Sequence, residues 1–439
     1  MTSSNIQIED LKKVINNLNN TLLSVEEYYM LGDMLQELLD ETIKNDILSL
    51  SDPYFIDGVT NNIRELALIQ FDFIDPDILS YTIDILLDKI MKIYYTRIMP
   101  RRSYKNTFIR KSPNLPGMDK KIQDIRDKPQ PEQRTKPWYE FRHNLITASS
   151  AWKALDSSSA INSIIYEKCK PYDDTKYDNV NLNTPFHWGT KYEPISVLLY
   201  EYIYKTKIDD FGCIRHDKYQ FIGASPDGIN TDKTSQLYGR MLEIKNIVNR
   251  EINGIPKPEY WIQMQLQMEV CNLNECDFLE TKFLEYENYN EFICDGTFTK
   301  TADGKQKGIF VLFFENGKPH YEYPPIDIEL AEFETWEKDI LEKNAHLQWI
   351  KNIYWKLEIL SCVLVLRNKL WFKAAVKKLQ DVWNIIEQER ITGYEHRAPK
   401  KRKKSFDEKE KKQNKCLLTM HNNQVVVNTI NIETTPLQL

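Results

Sequence analysis

Two carboxylates and an ammonium stand out between Phe221 and Val270. Ser225-Pro226-Asp227-Gly228 has the composition of a turn. Met241-Leu242-Glu243-Ile244-Lys245 alternates as a short strand does, and strand side chains two apart share a face. Glu243 and Lys245 therefore point the same way. If residues 229–240 close a hairpin, Asp227 arrives beside Glu243. Neighbouring carboxylates repel unless a proton or a cation lies between them. Hard oxygen ligands at one point favour Mg²⁺ or Mn²⁺. Such an ion activates water and stabilises a phosphate in transfer, and Lys245 beside it would orient or deprotonate that water. Each piece also has a plainer reading: Ser-Pro-Asp-Gly is a turn, and Glu-x-Lys is a solvated strand face.

The neighbouring elements must position these groups. Pro256 and Pro258 set up a helix from Glu259, on which Tyr260, Gln263 and Gln267 lie at i, i+3 and i+7 and share a face. Amides in a stripe on an apolar helix are less usual on a solvated face than charges. Upstream, Thr190-x-x-Glu193 reads as a capping box with Pro194 in the first turn, which by itself accounts for Glu193. Trp138 to Ala154 reads as a loop followed by a helix, with Asn144 suited to a left-handed turn. Arg142 with Thr147 or Ser149 at a helix start would cradle a phosphate. The plain alternative is a surface cation and a cap.

In order, Arg142-x-x-x-Ile146-Thr147-Ala148-Ser149, Trp188-Gly189-Thr190-x-x-Glu193-Pro194, Pro226-Asp227, Glu243-Ile244-Lys245 and Tyr260-x-x-Gln263-x-Gln265 resemble the PD-(D/E)XK nuclease superfamily. More narrowly they resemble its YqaJ-like, lambda-exonuclease-type viral recombinase branch, over about residues 134–320. The resemblance implies an α/β, restriction-endonuclease-like core with a mixed central sheet flanked by helices. It implies a Mg²⁺- or Mn²⁺-dependent deoxyribonuclease with one or two ions, digesting double-stranded DNA from a free end, 5′ to 3′, in recombination, repair or defence. Asp227, Glu243 and the Ile244 carbonyl would bind metal, with Glu193 in support. Lys245 and Gln263 would position water. Arg142 and Ser149, with Thr147, would hold the terminal phosphate, and Tyr260 matches a neighbour on the glutamine's helix. A single-strand annealing partner and a homo-oligomer also follow from the resemblance.

The whole chain has 439 residues and a net charge of −6, but the charge is unevenly spread. Residues 1–100 carry 17 acidic against 7 basic side chains, residues 101–142 carry 5 against 12, and residues 397–415 carry 3 against 10. DNA binding through the acidic segment is therefore disfavoured. The expected organisation is an acidic helical domain over 1–100 and a basic linker over 101–133. A nuclease core over 134–325, a helical C-terminal domain over 326–392 and a basic, flexible tail over 393–439 follow. Helical spacing is read over 7–50, 58–71, 76–97, Leu347 to Leu366 and Leu370 to Ile386, and Trp349, Trp355, Trp371 and Trp383 are assigned to the core. Residues 156–184 read as a polar loop, and Gln424 to Ile432 as a strand. Lys400 to Lys404 resembles a nuclear localisation run, or a DNA-binding tail. Mean hydropathy of −0.53 and the absence of an 18-residue apolar run argue against a membrane span. The start lacks a signal-peptide pattern, and seven scattered cysteines suit an intracellular, reduced protein. The basic run suggests a nuclear or viral-factory location, and the Asn/Ile/Lys/Tyr-rich usage together with the resemblance suggests a large DNA virus or an AT-rich genome as the source.

Rival readings are an endonuclease or a CRISPR-adaptation-type nuclease of the same superfamily, and a non-catalytic DNA-binding scaffold. The cysteine spacing offers no evident four-ligand set, so no iron–sulfur cluster is expected. The intact Asp, Glu and Lys argue against a decayed site.

Overall fold

The computed structural model describes residues 23–71, 74–110, 115–173, 182, 184–315, 317–399, 418–421 and 424–427. The chain divides into two compact units, residues 1–398 and 399–439.

The first unit begins with three helices: α1 (Val25–Asn45), α2 (Phe55–Gln70) and α3 (Pro76–Arg97). Ser24 and Glu27 close a capping box on α1, and Asp75 caps α3 just ahead of Pro76 at its first position. Then come α4 (Leu115–Arg126), α5 (Lys136–His143), β1 (Ile146–Thr147), α6 (Ser158–Cys169) and α7 (Pro185–Tyr204). Five strands follow: β2 (Ile208–Asp209), β3 (Ile214–Arg215), β4 (Ile222–Ala224), β5 (Gly228–Asn230) and β6 (Met241–Asn246). Next are α8 (Pro258–Val270), β7 (Glu275–Glu285), α9 (Tyr289–Cys294), β8 (Lys307–Glu315) and β9 (Lys318–Glu322). The unit ends with α10 (Leu330–Lys343), β10 (Gln348–Leu366) and α11 (Lys369–Thr392).

Seven strands make the main sheet in the order β2-β5-β6-β7-β10-β8-β9, and β1-β4-β3 form a small second sheet. The main sheet is mixed: β6 and β7 run parallel and the other neighbours antiparallel. The parallel pair needs a crossover, and α8 supplies it. Strand alternation sorts β6 between two layers. Leu242 and Ile244 pack with Tyr200 of α7 and Leu279, while Met241 joins the larger cluster that holds Trp261, Met264 and Met268 of α8. Glu243 and Lys245 share the Met241 face.

Several sequence expectations are corrected here. Leu347 to Leu366 is not helical: it is β10, whose first half pairs with β8 and whose second half pairs with β7 near the middle of the sheet. Ile353, Trp355 and Leu357 are buried in alternation, and Cys362 to Leu366 are buried continuously. Such a run fits a buried strand or a buried helix equally by composition. The main sheet therefore extends past residue 325, where the expected core was to end. Nor is 101–133 merely a linker. Tyr104 N and Thr107 N donate to Leu364 O and Cys362 O, both at 2.9 Å, so the segment covers the edge of β10 that β8 leaves open. Ile122 and Ile125 of α4 are buried.

The N-terminal helices share one apolar cluster with α8 and α11, containing Leu35, Ile83, Trp261 and Trp371. Trp261 and Trp371 meet edge to face at 5.0 Å, a contact worth about 1 kcal/mol beyond its area. Of the four tryptophans assigned to the core, Trp355, Trp371 and Trp383 are buried, whereas Trp349 is exposed. Residues 156–169 are not loop: Ser157 caps α6. Asn144 follows α5 with φ of −90°, not left-handed. No helix among the described residues is long and apolar enough to cross a membrane. In the second unit the described residues form an antiparallel hairpin, β11 (Leu418–His421) with β12 (Gln424–Val427). Leu11 to Leu22 and Lys400 to Lys404 lie outside the described residues.

Candidate active site

Asp227 sits where β5 begins, and β5 pairs antiparallel with β6 through Gly228↔Leu242 and Ile229↔Met241. The hairpin read from the sequence is thus present. Gly228 is required there, since a Cβ would lie 2.1 Å from Ile208 Cγ2. Asn230 N donates to Arg240 O at 2.8 Å, which turns the even-numbered backbone groups of β6 toward β5. Ile244 lies beyond the last β5 partner. Its N–H is taken instead by Asp227 Oδ2 at 2.8 Å, and the same alternation turns its carbonyl to this edge.

On the α8 face, Glu243 is fully buried. Lys245 Nζ donates to Glu243 Oε1, and Gln267 Nε2 donates to Glu243 Oε2 at 2.7 Å. The Lys245 ammonium also lies 5.1 Å from the centre of the Tyr260 ring. Glu193 approaches from α7, where it accepts from Arg134 Nη2 at 2.7 Å. α7 is docked on the end of β6 by Ser196 Oγ and the Gly189 carbonyl, both bonded to the Asn246 side chain. The expected capping box at Thr190–Glu193 is absent. Thr184 caps the helix before Pro185, so Glu193 and Pro194 lie in its interior. Proline there removes one helical hydrogen bond.

The carboxylates act on one another. Burial pushes the Asp227 carboxyl well above its ordinary range, and the charges of Glu243 and Glu193 push it further. Burial also raises Glu193, against the pull of Arg134. Burial opposes the charge on Lys245, but Glu243 and Asp227 outweigh it and hold the ammonium above its usual value. Lys245 is thereby held as an ammonium beside the two carboxylates.

A cleft of about 1150 Å³ lies over this floor. Its lining includes Asp227, Ile244, Lys245, Glu193, Gln263, Tyr260, Arg142, Thr147 and Ser149. Glu243 lies beneath. Arg142 donates to Ser149 Oγ at 3.1 Å and to Ser225 Oγ at 3.3 Å, and stacks 4.2 Å from the Trp138 ring centre. Thr147 and Ser149 do not cap a following α-helix. They lie in the bend after β1, with Thr147 Oγ1 2.9 Å from Ser150 Oγ.

Two glutamines divide differently from their spacing. Gln265, quoted within the motif, is buried behind α8, where it bonds Leu366 O and Asn368 N at 3.0 and 2.6 Å. Gln267 is the amide that reaches the carboxylate, while Gln263 reaches the cleft. Arg134 and Gln267 carried no assigned role in the sequence. The amide stripe was the signal for Gln267, and none marked Arg134.

Hard carboxylate oxygens and a strand-edge carbonyl suit Mg²⁺ or Mn²⁺, and the raised Asp227 carboxyl marks an excess of negative charge that such an ion offsets. Gln267 Oε1 is buried with no hydrogen-bond partner. The donor set therefore fits a divalent ion by chemistry. Among the described residues, however, no three His, Cys, Asp or Glu side chains are gathered as a metal group. Both Glu243 oxygens and one Glu193 oxygen are engaged by Lys245, Gln267 and Arg134.

Acidic side chains from a strand edge and a helix thus meet at a cleft whose wall also carries Arg134, Arg142 and Lys245. Residues 137–274 match the family model of the YqaJ-like viral recombinase domain, which bears out the resemblance carried by the motifs. The chain is 29% identical over 331 residues to an uncharacterized protein of Acanthamoeba polyphaga mimivirus, covering 65% of this chain and 57% of that protein. The chain thus spans little more than half the length of this curated relative. Among solved structures it is similar to an alkaline exonuclease (LHK-Exo) from Laribacter hongkongensis, at 18% identity and a TM-score of 0.35. That alignment covers 58% of this chain and 94% of the other. The same exonuclease in complex with dAMP gives 18% identity and a TM-score of 0.33.

Proposed function

We propose that the chain is a Mg²⁺- or Mn²⁺-dependent deoxyribonuclease that digests double-stranded DNA from an end, 5′ to 3′, in viral recombination or repair. The observation that carries this reading is the convergence of Asp227, Glu243, Lys245 and Glu193 below a cleft whose wall presents Arg142 bonded to Ser149. The match to a viral recombinase domain supports it.

Asp227, Glu243 and the Ile244 carbonyl would hold the ion, with Glu193 in support. When bound, the ion supplies Lewis-acid stabilisation of the phosphate and a nucleophile competent at neutral pH. The chain's own side chains do the rest. The Lys245 ammonium orients the attacking water and faces the charge that develops on the phosphate. Gln263 adds an amide at the cleft surface. Arg142 and Ser149 offer a guanidinium fork and a hydroxyl to the terminal phosphate, while Trp138 steadies the guanidinium against its ring. Gln267 holds the Glu243 carboxylate in place from beneath. Duplex DNA with a free end, a single-strand annealing partner and self-association belong to the same reading.

The test is digestion of linear duplexes labelled at either end, with and without Mg²⁺. The expected result is Mg²⁺-dependent release from the 5′ end. Glu243→Ala and Lys245→Ala should each slow it by at least about 100-fold. Equal rates in wild type and both variants would remove the assignment.

A further inference from the structure

Arg134 is the cation closest to the Glu193 carboxylate, and its placement is built rather than incidental. Its backbone is left-handed, with φ of +65°, a conformation side-chain-bearing residues seldom adopt. The segment before it is strapped to the Asp227 turn. Gln133 Nε2 donates to Phe211 O at 2.9 Å and to Pro226 O at 3.2 Å. Gly212 N donates to Gln130 Oε1 at 2.9 Å, and Cys213 N to Pro131 O at 3.3 Å. The two segments lie so close that a Cβ on Gly212 would sit 2.2 Å from Pro131 O. The strap thus delivers the guanidinium over the carboxylates, with its Nη2 on Glu193 Oε2 and the rest of the side chain at the cleft surface.

The three carboxylates are served unequally. Glu243 has Lys245 and Gln267, Glu193 has Arg134, and Asp227 has the Ile244 N–H. Glu243 and Gln267 are buried beneath the floor and Lys245 is 23% exposed, whereas Arg134 is 44% exposed and its partner 27%. A pair that exposed is weakly held, so of the two ion pairs here it is the one that can open without disturbing the core.

We infer that Arg134 is an exchangeable counter-ion: it neutralises Glu193 while the carboxylates lack a divalent cation, and it turns to a DNA phosphate once that cation takes the carboxylate. The inference rests on the metal-dependent reading above and adds a positioning residue to it. Its consequence runs opposite to that of a structural residue. Loss of Arg134 improves cation binding, because the competing charge is gone, and weakens DNA binding, because the released guanidinium is gone.

The experiment titrates Mn²⁺ alone into the full chain without nucleic acid, by calorimetry, for wild type, Arg134→Gln and Arg134→Lys. Circular dichroism confirms that each is folded. Removing a unit charge beside a divalent ion should tighten Mn²⁺ binding about tenfold in Arg134→Gln, while Arg134→Lys stays near wild type. Anisotropy of a 5′-phosphorylated duplex in Ca²⁺ should show at least about fivefold weaker binding in Arg134→Gln. Unchanged or weaker Mn²⁺ binding in folded Arg134→Gln overturns the exchange, as does unchanged duplex binding. A wild-type chain that binds no Mn²⁺ removes the metal-dependent reading along with it. Mn²⁺ binding by wild type with no response to Arg134→Gln removes the exchange alone.

Discussion

Strand β6 lies between two ionic clusters, one shared with β7 and one shared with β5 and α7, and the two are built on different terms. At the start of β6, Arg240 is 2% exposed. It donates to Glu275 at 2.7 and 3.0 Å, to Asp277 at 3.3 Å, to Thr107 and to the Phe108 carbonyl. Asp277 also accepts from Tyr200 and Thr107 at 2.6 Å. Burial opposes the charge on Arg240, but Asp277 and Glu275 outweigh it and hold the guanidinium firmly ionised. Arg110 Nη1 also reaches Glu275 at 3.1 Å, so two cations serve two carboxylates, and Arg240 pulls back the rise that burial imposes on Asp277. A few residues on, Asp227, Glu243 and Glu193 share only Lys245 and Arg134, and the charges of Glu243 and Glu193 add to burial in raising Asp227. A buried polar network that is fully satisfied fixes structure, whereas one left unbalanced is poised for a further charge. Strand β6 therefore supports both a clasp and the candidate site, and partner satisfaction tells them apart.

The contrast can be broken by mutation. Arg240→Leu strips the clasp and leaves Asp277 buried without a cation, while Glu275 keeps only Arg110 at 3.1 Å. It should cost about 3–5 kcal/mol of unfolding free energy, measured by urea denaturation. A loss below about 1 kcal/mol would mean the clasp is no more satisfied than the candidate site.

The paired glutamines on α8 sharpen the same contrast. Gln265→Ala orphans Leu366 O and Asn368 N, so it should lower stability by about 2 kcal/mol and leave cleavage per folded molecule intact. Gln267→Ala releases Glu243 and should slow cleavage by about tenfold or more. Activity assays alongside thermal melts separate the two, and equal loss of rate in both would erase the distinction.

The smallest effect is a gain. A carboxyl with a raised folded pKa binds its proton more tightly folded than unfolded, so stability falls as pH rises above the ordinary carboxylate range. Asp227→Asn removes that loss in the metal-free chain. It should stabilise by about 1 kcal/mol at pH 8, a gain that fades as the pH drops into the ordinary carboxylate range, and it should abolish cleavage. Melting curves across pH check the sign: destabilisation at pH 8 would mean that Asp227 is not frustrated.

Much of the centre was legible before folding was considered. Glu243 and Lys245 were legible because positions two apart in a strand must share a face, and Asp227 because a turn and a hairpin bring it alongside. Other features were misread for equally physical reasons. Leu347 to Leu366 is apolar enough for either a helix or a strand, and only its pairing with β7 and β8 decides between them. Thr190-x-x-Glu193-Pro194 looks like a helix start, but Thr184 and Pro185 had already started that helix.

By itself the sequence determined which chemical groups exist, their order, and the relations among groups inside one element, because backbone geometry repeats locally. Tertiary structure alone decided which α8 amide meets Glu243 and that Arg134 meets Glu193 from 59 residues away. It also decided that residues 104–107 cover the edge of β10. Those pairings arise where separate elements pack, and spacing along the chain carries no record of which faces will meet.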